Sequence, residues 1–279
     1  MANVLESVRL LQRLAGVTEA AEAARAACTR LRFNETLRRQ APEAAAESRI
    51  RGARASSALE GADLPVDRVR DHVRGALPWP AEPDPVEQVL RGVVRATAET
   101  ERARGIVLTT PGQVLARLHV AATAGMLPSE QLGRPRQGDE TSREFVDLGP
   151  APASALVASR LADLATILTA RDVPAVVLAG LVHAEIAAVR PFVRGNGAVA
   201  RAMERAIIQA SGLDPTGVCV PEVGHGAAGG PAYLGALTAY GTGSRAGVGL
   251  WLQHCAEAVV TGAEEGEAIC AAVRAGRLG

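Results

Sequence analysis

Residues 190–201 read Arg-Pro-Phe-Val-Arg-Gly-Asn-Gly-Ala-Val-Ala-Arg and join two apolar, alanine-rich segments that both have helical character. No other stretch constrains the fold as tightly. Pro191 stops a helix that runs up to it, because proline lacks an N–H and clashes with the preceding turn. Gly195 and Gly197, on either side of Asn196, permit a tight turn with positive φ. Such a turn points consecutive backbone N–H groups one way, and the following helix adds unpaired donors and the positive end of its dipole. The expected product is a cradle for an anion such as phosphate. Arg201, one turn into the second helix, is placed to bring a forked cation to the same anion.

Helical patterning dominates the remainder. Residues 2–33 and 43–60 are rich in Ala, Leu, Glu and Arg, which favours helix. Pro78, Pro80, Pro83 and Pro85 then break the chain. Further helices are expected over 86–104, 111–124, 153–170, 174–189, 198–211, 231–240 and 247–273, with Gly212 as the stop after Ser211. Residues 217–231 read as a glycine-rich loop that carries His225. Residues 126–150 differ, and Arg143-Glu144-Phe145-Val146-Asp147-Leu148 alternates polar with apolar, which predicts a short strand or hairpin. The fold class is therefore all-α with a small β-hairpin.

Composition removes several functions. The 279 residues carry 30 basic and 30 acidic groups, so a formal net charge of zero gives no electrostatic footprint for nucleic acid. The chain contains no lysine, which excludes a Walker-type phosphate loop and Schiff-base chemistry. Cys28, Cys219, Cys255 and Cys270 are far apart and form no zinc or disulfide pattern. No apolar run is long enough to span a bilayer and Met1–Leu11 lacks a signal-peptide layout, so a cytoplasmic protein without membrane contact is expected.

The segment resembles the signature of the Fic family, His-Pro-Phe-x-Asp/Glu-Gly-Asn-Gly-Arg-x-x-Arg, whose members transfer AMP from ATP to hydroxyl side chains of target proteins. Pro191, Phe192, Gly195, Asn196, Gly197 and Arg201 match it, while Arg190 stands at the histidine, Arg194 at the acidic residue and Ala198 at the first arginine. Upstream, Ser56-Ser57-Ala58-Leu59-Glu60-Gly61 matches the family's inhibitory pattern, Ser/Thr-x-x-x-Glu-Gly/Asn. Ser56 and Glu60 share one helical face, and Gly61 can end that helix in a left-handed cap. The resemblance implies that Glu60 pairs with Arg201 and blocks the γ-phosphate position. It further implies a Fic-type bundle: an N-terminal region over 1–77 with the inhibitory helix at about 49–61, a core over 86–262, and a C-terminal helix end over 263–279. Gly133-Arg134-Pro135-Arg136 leads into the expected flap at about 136–148, which in the family aligns a target protein by strand pairing.

The departures bear on chemistry. In the family the histidine is the general base; arginine, with a pKa above ~12, has no vacant lone pair at neutral pH. The family's acidic residue binds magnesium, and Arg194 would repel it, which puts magnesium in doubt. No catalytic residue and no metal ligand is therefore singled out. Arg194, Gly195, Asn196, Gly197 and Arg201 are the expected nucleotide- or phosphate-binding residues, with Ser56, Glu60 and Gly61 inhibitory. The expected function is a degenerate Fic protein that binds ATP or another nucleotide, with AMP transfer weak or lost. Two alternatives stand beside it: a transferase of altered mechanism, and a non-catalytic protein-interaction module. For the arginines the competing expectation is pairing with Glu185 or Glu204. His183, seven positions before Arg190, and His225 are candidates for a replacement base, with packing the competing expectation for His183 and solvent exposure for His225.

Overall fold

Helix α8 (Ala175–Val189) is apolar on every face, and a helix with no polar side must be enclosed by others. The computed structural model, which describes residues 2–278, puts α8 at the centre beside α9 (Asn196–Ala210). Every residue of α9 except Ala210 is buried. Around this pair lie α1 (Ala2–Leu11), α2 (Val17–Arg32), α3 (Leu37–Leu59), α4 (Val66–Arg74), α5 (Pro85–Ala103), α6 (Pro111–Thr123), α7 (Val157–Ile167), α10 (Pro221–Gly226), α11 (Gly230–Gly241) and α12 (Arg245–Arg274). One hydrophobic core takes in Val8, Leu31, Leu118, Ile186, Met203, Trp251 and Ile269, so it draws on both sides of the four-proline break. Among the described residues no helix is long and apolar enough to cross a membrane.

The helix expected over 2–33 divides at Gly16, which adopts φ 77°. Helix α4 has no counterpart in the sequence reading. It is fastened to α3 by a buried pair, Arg70 Nη2 to Glu47 Oε1 at 2.6 Å. The proline-rich connection ends in a capping box: Asp84 accepts from the Glu87 amide at 2.8 Å, and Glu87 accepts from the Asp84 amide at 3.2 Å. Helix α3 is held on α9 by buried Arg205, which bonds Glu222 at 2.8 Å and the Ser48 hydroxyl at 3.2 Å. Gly52 makes room for this contact, since a Cβ there would lie 2.6 Å from Arg205 Nη2.

The expected hairpin is corrected. Residues 136–148 contain no strand; Phe145 sits at φ 52°, and Val146–Leu148 form a single 3₁₀ turn. The carbonyls of Glu144, Phe145, Gly149 and Pro150 all accept hydrogen bonds from Arg190, which gathers residues 144–150 around one guanidinium instead of leaving them extended. The glycine-rich loop expected over 217–231 is corrected as well, because it contains α10, with His225 fully buried. Gly224 makes that possible: a Cβ there would lie 2.1 Å from the Ala258 carbonyl oxygen of α12, so α10 presses directly on the α12 backbone.

Candidate anion site at the start of helix α9

The turn between α8 and α9 is built from both ends. Arg190 ends α8 in the left-handed region at φ 47°, and Gly195 precedes α9 at φ 86°. Asn196, the first residue of α9, folds back on Phe192, accepting from its amide at 2.9 Å and donating to its carbonyl at 2.8 Å. Buried Arg136 braces the outside, donating to the Arg190 carbonyl at 2.7 Å and the Val189 carbonyl at 3.2 Å. His119 braces the inside. Its ring stacks on Phe192 with centroids 3.8 Å apart, its Nδ1 accepts from the Gly133 amide, and its Nε2 donates to the Arg194 carbonyl. These bonds fix one neutral tautomer, and burial pushes the pKa down to about 4. The sequence gives His119 no such partners; they come from α6 and the 133 turn meeting in space.

The cradle exists, and the chain fills it. The Glu144 carboxylate receives the Gly195 amide at 2.6 Å, the Asn196 amide at 2.8 Å and the Asn196 side-chain amide at 2.7 Å. Burial raises the Glu144 pKa and the charge of Glu60 adds to the rise, while the amides pull the other way. Sequence reasoning missed Glu144, which lies 51 residues before Gly195 in a loop with no local signal for the contact.

Arg201 is fully buried, and its guanidinium lies beside Gly197, where a Cβ would be 3.3 Å from Nη1. Its Nε donates to Ser56 Oγ at 2.8 Å, its Nη2 to Glu60 Oε1 at 2.5 Å and to the Ser56 carbonyl at 3.2 Å, and its Nη1 to Tyr233 Oη at 3.3 Å. Ser56, Glu60 and Arg201 therefore meet, and Gly61 ends α3 at φ 84°. Gly197 makes room for this pair, since a Cβ there would lie 2.2 Å from Glu60 Oε1, and it stands in the first turn of α9, where helix amides have no intrahelical partner.

The three signature arginines do not converge. Arg190 is buried and ties down the 144–150 loop, Arg201 lies in the core, and Arg194 is exposed. Neither do they pair with the carboxylates suggested by proximity in sequence. Glu185 pairs with Arg160 at 2.5 Å, and Glu204 lies between His183 and His225. Arg194 and exposed Arg143 stand at the rim of a cleft of about 540 Å³, with Glu60 and Glu144 in its wall and Val89, Val93, Met126 and Ala198 on its apolar side.

Solved structures of Fic proteins share this architecture. A Fic family protein from Desulfovibrio desulfuricans G20 matches with a TM-score of 0.67 at 19% identity, over 89% of this chain and 74% of that one. Fic-1 from C. elegans matches with a TM-score of 0.66 at 16% identity, over 93% of this chain and 73% of that one. A variant of the same Fic-1 gives 0.66 and 16%, over 92% and 73%. At these identities the likeness is one of fold, and the chain has the Fic fold. No family model matches the sequence, and no curated protein does.

Proposed function

We propose that this Fic-fold chain binds a nucleotide or other phosphate at the start of α9, that two of its own carboxylates close the site, and that AMP transfer to protein hydroxyls is weak or lost. The observation that carries this reading is the occupancy of the turn. Two backbone amides and the Asn196 side chain already hold a carboxylate, so the donors point outward and accept an anion. Hydrogen bonds to charged groups contribute about 1.5–3 kcal/mol each, so a phosphate must bring further contacts to displace Glu144. Arg143 and Arg194 at the cleft rim offer such contacts.

The chemistry of transfer has less support. Arg190 holds no vacant lone pair, and its guanidinium is committed to loop carbonyls. Loss of a positioned base costs roughly 10²–10⁴-fold in rate. The turn's own donors also give magnesium little support: they are N–H groups with Arg194 beside them, and magnesium takes oxygen ligands. Target docking by strand pairing draws no support from residues 136–148, which contain no strand.

Titration calorimetry with ATP, ADP and pyrophosphate tests the reading, run on the natural chain and on a Glu60→Gly, Glu144→Ala double variant. Tighter binding by the double variant, with no autolabelling from radiolabelled ATP in either protein, is the expected result. Absence of binding in a folded double variant would overturn it.

A further inference from the structure

We propose that His183, Glu204 and His225 form a buried site for a first-row divalent metal ion, with zinc the best fit. The three side chains come from α8, α9 and α10, and none is more than 1% exposed. Their donor atoms lie within 4.8 Å of one another. His183 Nδ1 is 2.5 Å and His225 Nε2 is 2.7 Å from the same oxygen, Glu204 Oε2.

The other oxygen, Glu204 Oε1, is buried with no hydrogen-bond partner. An ionised carboxylate offers about four lone-pair sites, and here one oxygen takes both imidazoles while its twin takes nothing. A metal held by both carboxylate oxygens and both imidazoles uses all four donors. That is a closed N₂O₂ set of the kind zinc accepts, and imidazole ligands exclude magnesium and calcium as preferred occupants.

The outer nitrogens are already placed for this role. His183 Nε2 lies 2.8 Å from Tyr233 Oη, and His225 Nδ1 lies 3.1 Å from His254 Nε2. Ligating histidines need such partners on the far ring nitrogen to fix tautomer and ring orientation. Trp251 closes another side, with its ring centroid 5.0 Å from that of His183. Metal–donor distances of about 2.0–2.2 Å require the nitrogen–oxygen gaps to open to about 3.3 Å. From 2.5 and 2.7 Å this is an opening of roughly 0.6–0.8 Å. Because the ligands come from three helices and the site is sealed, the metal enters as the chain folds.

The test uses the untagged full chain refolded with zinc, dialysed against metal-free buffer, and assayed for bound metal by mass spectrometry. One zinc per chain is expected, with a cobalt-substituted form that shows the visible bands of four-coordinate cobalt and a raised thermal midpoint. His225→Gln should lower zinc retention at least tenfold. His254→Gln, which leaves the ligands in place, should weaken it by about tenfold to a hundredfold, the usual effect of losing an outer partner. A folded natural chain that keeps less than a tenth of an equivalent overturns the proposal. So does retention that is unchanged in a folded His225→Gln or His254→Gln variant.

Discussion

Glu60 Oε1 and Arg201 Nη2 lie 2.5 Å apart across 141 residues of sequence, joining the end of α3 to the buried face of α9. The arginine is sealed and the glutamate side chain is 22% exposed, so the pair is asymmetric. Glu60→Gln leaves a buried guanidinium without its counter-charge. Removing one partner of a buried pair costs about 3–5 kcal/mol, and the exposure of Glu60 favours the lower end. Urea unfolding should show a loss of about 3 kcal/mol. Saturating ATP should recover part of it, because a ligand that binds only the folded state stabilises it.

Glu144 gives a dependence on pH whose sign follows from its raised pKa. Between the ordinary carboxylate value of 4.5 and the raised value, the folded chain holds a proton that the unfolded chain has lost. The stability it contributes is present below 4.5 and lost as pH rises through the raised value. Glu144→Gln lacks this titration. The stability of the natural chain minus that of Glu144→Gln should therefore fall as pH rises across that window, measured by denaturant unfolding at a series of pH values.

His119 works in the opposite direction. Its pKa falls from 6.5 to about 4 on burial, so the unfolded chain takes up a proton before the folded one does. The stability it contributes is full above 6.5 and is lost as pH falls toward 4. The whole effect is at most about 3 kcal/mol, at 1.36 kcal/mol per pKa unit. His119→Gln should flatten this part of the stability profile, and it should also loosen the 190–196 turn through lost stacking on Phe192.

Arg190→His restores the residue type that the Fic signature has at this position, yet it should not create a transferase. The guanidinium bonds to the carbonyls of Glu144, Phe145, Gly149 and Pro150 go with it. A cost of about 2–3 kcal/mol is expected, on the scale of buried hydrogen bonds to a charged group. Hydrogen exchange should quicken at Leu148 and Gly149, whose amides close the 3₁₀ turn onto Phe145 and Val146.

The parts of the site that were legible in the sequence are those set by local backbone demands. Gly195 needs positive φ, Gly61 needs a left-handed cap, and Pro191 ends α8; each follows from residue type alone. The meeting of Ser56, Glu60 and Arg201 was legible through resemblance, because two short patterns with known partners fix a long-range contact. Glu144 was not, since its place depends on Arg190 gathering the 144–150 carbonyls. The same contacts defeat the alternation of residues 143–148, which would otherwise read as strand. His225 was misread for a different reason: the glycines of residues 217–231 read as a loop, whereas Gly224 serves a backbone approach to Ala258 that exists only in the folded chain.

The central claim is that the amides of Gly195 and Asn196 form an anion receiver which Glu144 occupies. Nitrogen-15 amide spectra of the Glu144→Ala variant, titrated with pyrophosphate, address it most directly. The account predicts saturable shifts that are largest at Gly195 and Asn196, and much smaller shifts in the natural chain at the same concentrations. Silent amides at both positions in a folded variant would contradict it.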